Sequence, residues 1–369
     1  MKREREELLL SLSFQALENK TKKRELKKIL EEESEWKSLL EKETALSFYY
    51  NLSQSSLHNL IPSSIEKELK KSLISNTGYN LISLHNLAPL IQRLKEQRIP
   101  VIVLKGAALC EVIYPHLGLR SFCDVDILIQ KKNVQKVSSE LKKMGYSLCR
   151  THARHHFFAF QKTNHSLPLE VHWDLVNRAS PFQKYAFKFS MEKIWKDARP
   201  IQMGGVKTLW LSPEHQLIYL SAHMLKEGYA NKKWFLDLFY LLKFFEGKIN
   251  WEKLLKESEE FQVRRPVFYA LSYLDRYFLS EEVNQKFLAR NVLPRLKPER
   301  SGWPEKAILA RLLEDKVSKK PLCRLSLYLS AIEGIRNRLK ALVSLLIYIP
   351  KITFLQLKAK IQSAPEIQV

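Results

Sequence analysis

Two aspartates separated by one residue, Asp124 and Asp126, lie in the apolar segment FCDVDILI. Alternate residues of a β-strand point to the same face, so the segment predicts that both carboxylates share one face while Val125, Ile127 and Ile129 point into the core. Two negative charges held this close repel each other, and a divalent cation relieves the repulsion. Oxygen ligands of this kind suit Mg²⁺, with substrate phosphates completing its coordination. A motif of this type on its own is also typical of a solvated strand edge.

A second segment, PLEVHWDL, alternates strictly between apolar and polar residues, which is typical of a half-buried strand. We predict one face with Glu170, His172 and Asp174 and an opposite face with Leu169, Val171, Trp173 and Leu175. If this strand neighbours the first at about 4.8 Å, Glu170 joins the two aspartates in a cluster of three carboxylates that binds two metal ions. His172 would then lie beside the cluster, or would simply be a polar strand residue.

A third segment, VIVLKGAAL, predicts a short buried strand that turns at Gly106 into a helix. Backbone N–H groups at the start of a helix favour phosphate binding, and Lys105 adjoins this turn. Most turns of this kind have no ligand, so the prediction depends on the order of the three segments along the chain. Arg120, four residues before Asp124, either pairs with phosphates or supports the aspartates.

The elements around these motifs predict an α+β protein with a small mixed-sheet core between helical regions. Residues 1–95 are predicted to be helical, and residues 96–207 to form an α/β core in which strands alternate with helices. Residues 208–315 are predicted to form a helical domain, which starts where Ser212 suits a helix N-cap. Residues 316–369 are predicted to form a basic amphipathic helical segment.

The composition indicates a protein that meets polyanions. The chain of 369 residues has 61 Lys and Arg against 39 Asp and Glu, a net charge of +22. Nucleic acid, nucleotide phosphates or an anionic membrane surface would all suit this charge. Only 10 glycines are present, which argues against a glycine-rich phosphate loop. The four cysteines have no C-x-x-C spacing, and we find no signal-peptide pattern and no apolar stretch long enough to span a membrane, so we expect a cytoplasmic protein.

The order of the three motifs resembles the nucleotidyltransferase superfamily that includes DNA polymerase β. It is most similar to an uncharacterised bacterial nucleotidyltransferase family with an LKG turn, a D-x-D strand and an E-x-H-W strand. The matching residues are Leu104-Lys105-Gly106, Tyr114-Pro115, Arg120, Asp124-Val125-Asp126 and Glu170-Val171-His172-Trp173. The segments LSPEHQLIYLSAHML and KKWFLDL also match, so the resemblance covers roughly residues 80–260. In this region His223, Trp234 and Asp237 are predicted to pack helices rather than to act in catalysis.

The resemblance implies a Mg²⁺-dependent transfer of a nucleoside monophosphate from an NTP to an acceptor hydroxyl, with release of pyrophosphate. Asp124, Asp126 and Glu170 are the predicted catalytic residues and the ligands of two Mg²⁺ ions. The predicted nucleotide-binding residues are Lys105, Gly106, Ala107, Arg120 and His172. Ala107 stands where the superfamily usually has serine, so phosphate contacts would have to come from backbone N–H groups or from Lys105.

Two alternatives stay open at this point. One is an inactive protein of the same fold that binds a polyanion or an anionic membrane, although the three intact acids favour the enzyme. The other is an RNA-modifying transferase, and the acceptor is a small molecule, a peptide or protein, or an RNA end. Between Lys316 and Ser363 the basic segment has ten basic residues against the single acid Glu333, which suits a peripheral membrane contact, a nucleic-acid surface or a packed helix. His152, His155 and His156 have no metal-ligand spacing.

Overall fold

The structure of the chain is a computed structural model. It describes residues 2–17, 19–31, 36, 44–150, 157–162, 167–178, 180–229, 231–277, 288–297, 328–329, 332, 334 and 336–346. The predictions for His152, His155 and His156 and for most of residues 316–369 lie outside this part of the chain.

The described residues form one mixed sheet of seven strands in the order β3-β4-β5-β2-β1-β7-β6. The strands are β1 (Ile102–Leu104), β2 (Val125–Leu128), β3 (Ser147–Arg150), β4 (Phe157–Gln161), β5 (Leu169–His172), β6 (Arg199–Met203) and β7 (Val206–Trp210). The pairs β2–β5 and β1–β7 are parallel, and the other neighbours are antiparallel. The predicted α+β fold with a mixed-sheet core is confirmed.

Helices precede the sheet, connect its strands and follow it. They are α1 (Lys2–Gln15), α2 (Lys20–Glu31), α3 (Ala45–Ser53), α4 (Ser63–Glu96), α5 (Lys105–Val112), α6 (Val134–Lys143), α7 (Pro181–Ala186), α8 (Met191–Lys196), α9 (Pro213–Lys226), α10 (Lys233–Phe244), α11 (Trp251–Glu260), α12 (Arg264–Tyr277), α13 (Leu293–Leu296) and α14 (residues 336–346). Within the described residues, none of these helices is long and apolar enough to cross a membrane.

The two faces of the sheet pack into separate apolar clusters. Val125, Ile127 and Val171 lie in a cluster with residues of α4 and α6, as the alternation of their segments predicts. Leu128 lies in the second cluster, which extends through the helices that follow the sheet. The alternation of PLEVHWDL ends with the strand at His172, and Leu175 therefore packs into the second cluster rather than the first.

The predicted domain boundaries do not coincide with breaks in the packing. Helix α4 packs onto the sheet through Leu90 and Leu94, and the last strand ends at Trp210, beyond residue 207. The second apolar cluster runs from Leu9 in α1 to Ala341 in α14. The four-part division of the chain stays a prediction.

Helix α14 is the largest described piece of the predicted basic segment. Leu339, Val343 and Leu346 recur at one helical face and are 55%, 58% and 73% exposed, whereas Ala341 is buried. The helix is therefore packed on one side and carries an apolar stripe on another. The membrane-surface interpretation of residues 316–369 stays a prediction.

The junction between β1 and α5 differs from the predicted turn. The strand passes into the helix without a loop, and Lys105 takes the left-handed conformation, with a φ of 47°. Gly106 is required for another reason, because a Cβ atom at this position would lie 2.6 Å from Cβ of Phe122. A non-glycine residue with positive φ stores strain, and such strain is often found at functional sites.

This close approach predicts opposite effects of alanine at two glycines. Gly106→Ala should lower the free energy of unfolding by about 1–3 kcal/mol, because the added methyl group overpacks against Phe122. Gly78→Ala is the matched control: no atom lies within 4 Å of an added Cβ there, and Gly78 is inside α4. It should raise the free energy of unfolding by about 0.5–1 kcal/mol through helix propensity. Urea denaturation measures both values, and equal effects would contradict the steric argument.

Candidate active site

Strand pairing brings the predicted acids together. In the parallel register of β2 and β5, Asp126 lies opposite Glu170 and Leu128 lies opposite His172. Opposed residues of neighbouring strands share a face, and so do residues two apart along one strand. The side chains of Asp126, Glu170 and His172 therefore converge at one end of the β2–β5 pair, and Asp124 directly precedes β2.

Asp126 is the centre of this group. Its Oδ1 atom lies 2.7 Å from Nζ of Lys105 and 2.8 Å from Nε2 of His172. The same His172 nitrogen lies 3.3 Å from Oε2 of Glu170. Asp126 is 1% exposed and His172 is 2% exposed, so these contacts are shielded from water. Shielding strengthens the attraction between the ammonium group and the carboxylate.

The Lys105–Asp126 pair keeps both partners charged. Burial alone would raise the pKa of Asp126, but the Lys105 ammonium and the His172 hydrogen bond hold it well below its usual range. Burial alone would lower the pKa of Lys105, but the negative charge of Asp126 outweighs burial and raises it. A carboxylate that stays ionised at any physiological pH is therefore fixed at the base of the group.

Asp124 has the opposite electrostatic character. Burial, and then the negative charge of Asp126, raise its pKa to about 6, although Lys105 acts in the other direction. Glu170 adds a further negative charge nearby. The carboxylates of Asp124, Asp126 and Glu170 thus carry more negative charge than the Lys105 ammonium neutralises. Binding of a further cation would stabilise the group.

A cavity of about 230 Å³ opens over these residues. The sheet side of the cavity contributes Lys105, Asp124, Glu170 and His172. The opposite side is a face of α9, whose lining residues Tyr219, Ala222, His223 and Lys226 are spaced as on one side of a helix. Aromatic and apolar side chains complete it: Phe157, Leu175, Val176, Phe187 and Phe189.

The donor atoms of this cavity fit a divalent cation. One ligand atom from each of Asp126, Glu170 and His172 lies within 4.8 Å of the others. Carboxylate oxygens are the ligands that Mg²⁺ prefers, and an imidazole nitrogen suits softer divalent ions. Asp124 is outside that close group but lines the cavity beside Glu170 and His172.

Two predicted phosphate-binding residues do not line the cavity. Gly106 and Ala107 are buried inside α5, and Ala107 packs into the apolar cluster below the sheet. Of the predicted turn, only Lys105 reaches the cavity. Ala107 occupies the position where the superfamily usually has serine, and its side chain packs into the core.

Arg120 makes a contact that the sequence did not indicate. Its Nε and Nη2 atoms donate hydrogen bonds to the two carboxylate oxygens of Asp237, at 2.7 and 3.0 Å. The hydroxyl of Tyr114 donates to the same carboxylate at 2.6 Å. Arg120 and Asp237 are buried, and Arg120 is not part of the cavity lining. We therefore remove Arg120 from the candidate nucleotide-binding residues and assign it to the junction between the sheet region and α10.

The sequence missed the α9 side of the cavity. The sequence predicts a packing role for His223 and gives no indication of a role for Tyr219. Both side chains line the cavity opposite the carboxylates. Their spacing of four residues is visible in the sequence, but it does not indicate which face of the helix meets the sheet. The ring of His223 lies 5.2 Å from that of Trp234, at an interplanar angle of 77°.

A mixed sheet whose paired parallel strands carry a D-x-D motif and a third acid into one cavity defines a nucleotidyltransferase-like fold. The chain belongs to the uncharacterised nucleotidyltransferase family, whose sequence profile matches residues 33–279. The resemblance drawn from the LKG, DVD and EVHW segments is thereby confirmed. Family and fold together support nucleotidyl transfer as the class of function.

Two solved structures are similar to parts of the chain. One is a lincosamide antibiotic adenylyltransferase with bound lincomycin, at 17% identity and a TM-score of 0.31 over 42% of this chain and 93% of the other. Another is an antigenic nucleotidyltransferase-like protein from Paracoccidioides brasiliensis, at 16% identity and a TM-score of 0.33 over 55% of this chain and 96% of the other. No curated protein matches the sequence.

The Arg120–Asp237 pair predicts a large loss of stability on truncation. Arg120→Ala should lower the free energy of unfolding by about 3–5 kcal/mol, because it leaves the buried Asp237 charge unpaired. The double variant with Asp237→Ala should lose less than the sum of the two single variants. Denaturant unfolding measures this coupling, and Arg120→Lys provides a milder variant for NTP titration. Weaker NTP binding by Arg120→Lys at unchanged stability would return Arg120 to the nucleotide site.

The contrast between Asp124 and Asp126 predicts opposite shifts of the melting temperature in metal-free protein. Because folding raises the pKa of Asp124 to about 6, its ionisation destabilises the fold increasingly between about pH 4 and that value. Asp124→Asn should therefore raise Tm above about pH 6, by roughly 1–2 °C for each kcal/mol in a chain of this length, and change nothing below about pH 4.

Asp126→Asn is the control for that experiment. It removes the counter-charge of buried Lys105, so it should lower Tm at neutral pH. The stabilisation by ionised Asp126 is present above about pH 4 and is lost as the pH falls further. Thermal melts with a chelator present test both variants, and equal shifts in the same direction would contradict the proposed charge distribution.

Proposed function

We propose that the protein transfers a nucleoside monophosphate from an NTP to an acceptor hydroxyl with release of pyrophosphate, in a Mg²⁺-dependent reaction. The observation that carries this proposal is that Asp124, Glu170 and Lys105 line one cavity, with the buried carboxylate of Asp126 directly behind it, opposite Glu170 in the sheet and hydrogen-bonded to Lys105. Such chemistry depends on positioning and on neutralisation of charge, which a cluster of carboxylates and cations provides.

The three carboxylates would hold the metal. Asp126 is fixed by two hydrogen bonds and stays ionised, so it is the ligand with the least freedom to move. Within the described part of the chain, the Glu170 carboxylate has one partner at ion-pair distance, Nε2 of His172 at 3.3 Å, which leaves the carboxylate available. Bound Mg²⁺ would neutralise the phosphates of the NTP and lower the pKa of the attacking hydroxyl.

Lys105 and His172 would position the reacting groups. Lys105 is 15% exposed on its side chain and lines the cavity, so its ammonium group has access to a phosphate as well as to Asp126. His172 fixes the carboxylate of Asp126 from the other side. We assign phosphate contact to Lys105 and support of the metal ligand to His172, and we leave Gly106 and Ala107 to the packing of α5.

The α9 side of the cavity would receive the acceptor. His223 is half-buried there, and among the described residues it makes ring contacts with Tyr219 and Trp234 but no hydrogen bond. Burial, and then the charge of Lys105, hold its pKa well below the usual range, so its imidazole is neutral. A neutral imidazole opposite the carboxylates is suited to accept a hydrogen bond from an acceptor hydroxyl. The acceptor classes remain a small molecule, a peptide or protein, and an RNA end.

This function predicts a pattern of inactivation that a matched control separates from loss of fold. With labelled NTPs, Mg²⁺ and cell lysate as the source of acceptor, Asp124→Asn, Asp126→Asn and Glu170→Gln should each lose at least about 100-fold in turnover, because each removes a ligand that neutralises charge in the transition state. Asp174→Asn should keep wild-type turnover. Asp174 lies in the same segment as Glu170 but pairs with Arg178 at 2.7 Å and does not line the cavity.

Binding measurements test Lys105 separately. Lys105→Ala should weaken NTP binding by about 1.5–3 kcal/mol when Mg²⁺ is present, because a charge-assisted hydrogen bond is lost. Calorimetric titration of a non-hydrolysable NTP measures the effect without an acceptor. Wild-type turnover in Glu170→Gln would overturn the catalytic assignment, and wild-type NTP affinity in Lys105→Ala would remove Lys105 from the nucleotide site.

A further inference from the structure

A second group of metal-ligating side chains lies outside the candidate active site. It combines Asp197, which directly follows α8, His215 in the first turn of α9 and Glu257 in α11. One ligand atom from each residue lies within 4.8 Å of the others. The local sequence fixes the start of α9, because Ser212 caps it by accepting a hydrogen bond from the backbone N–H of His215.

His215 is buried without a hydrogen-bond partner. Its exposure is 0%, and within the described residues neither ring nitrogen makes a hydrogen bond. Its Nε2 atom nevertheless lies only 3.0 Å from Oε2 of Glu257, an oxygen that also lacks a hydrogen bond in the described part of the chain. Buried polar atoms in native proteins are nearly always satisfied, so this pair calls for an additional partner.

The charges around His215 also favour a cation. Among the residues that the structure describes, the carboxylates of Asp197, Glu214, Glu257 and Glu260 have two ammonium groups within ion-pair distance, those of Lys193 and Lys253. Lys253 is the central one: its Nζ lies 2.6 Å from Asp197, 3.7 Å from Glu214 and 4.0 Å from Glu257. A single ammonium group thus serves three carboxylates and makes a close contact with one.

We propose that Asp197, His215 and Glu257 bind a divalent transition-metal ion of the Zn²⁺ type, and that the Lys253 ammonium holds the position of the ion in its absence. One imidazole nitrogen and two carboxylate oxygens form a ligand set that Zn²⁺ accepts, with water in a fourth position. The ion would coordinate Nε2 of His215 and Oε2 of Glu257, which make no hydrogen bond within the described residues. It would also replace the single positive charge of the Lys253 ammonium group by two.

One side of the proposed site adjoins a cavity. Of the three proposed ligands Glu257 lines this cavity of about 710 Å³ on the side of α11, together with Lys253, whose side chain is 25% exposed. The ammonium group therefore has room to turn into the cavity when an ion takes its place. Arg264 and Lys256 also line this cavity, but neither is one of the three proposed ligands.

The experiment is a calorimetric titration of the full-length protein with Zn²⁺ in excess Mg²⁺, in which variants of this group separate its binding from any binding at the candidate active site. Wild type should bind one Zn²⁺ ion at this group and melt at a higher temperature with it. His215→Leu and Glu257→Gln should each weaken binding by at least about tenfold. Glu260→Gln is the matched control, because it belongs to the same charge network but offers no ligand, and it should bind as wild type does.

Lys253→Met separates a metal site from a simple network of ion pairs. Removal of the competing ammonium group should tighten Zn²⁺ binding by about tenfold, whereas an ion-pair network alone predicts lower stability and no binding. Wild-type affinity in both His215→Leu and Glu257→Gln, or no binding by either wild type or Lys253→Met, would overturn the proposal. Because binding is measured without NTP, the result is independent of the proposed transferase reaction.

Discussion

The buried ion pair between Lys105 and Asp126 is the interaction on which the candidate active site depends. It keeps one carboxylate ionised at 1% exposure, where an unpaired charge would be too costly. Its geometry requires the left-handed conformation of Lys105 at the end of β1 and the close approach of Gly106 to Phe122. The ion pair between Lys105 and Asp126 therefore offsets the backbone strain at Lys105.

A second buried pair connects that junction to the helices that follow the sheet. Arg120 and Asp237 are 117 residues apart along the chain, and their two parallel hydrogen bonds fix α10 against the segment that precedes β2. Asp124 follows Arg120 by four residues, so the position of one acid depends on this contact. Helix α10, whose Trp234 contacts His223 of α9, is thus held in place by the segment that leads into the D-x-D motif.

Local patterns predicted the strands that carry the site residues, but not the hairpin of β6 and β7. The alternation in FCDVDILI and PLEVHWDL separated the two faces of each strand, because a strand has a period of two residues, and the pairing of β2 with β5 then brought Asp126 and Glu170 together. The partner of Arg120 was not predictable, since no local pattern connects residues so far apart. The positive φ of Lys105 was missed because glycine is the usual residue there, and the α9 lining was missed because helical spacing does not reveal which face is covered.

Helix α9 carries both of the sites proposed for this protein. His215 is in its first turn and His223 lies eight residues later, about 12 Å along the axis. A continuous helix is stiff over this distance, so a small displacement at one end is transmitted to the other. If an ion at His215 displaces α9, the width of the cavity at His223 changes with it, and such a coupling would act with equal strength in both directions.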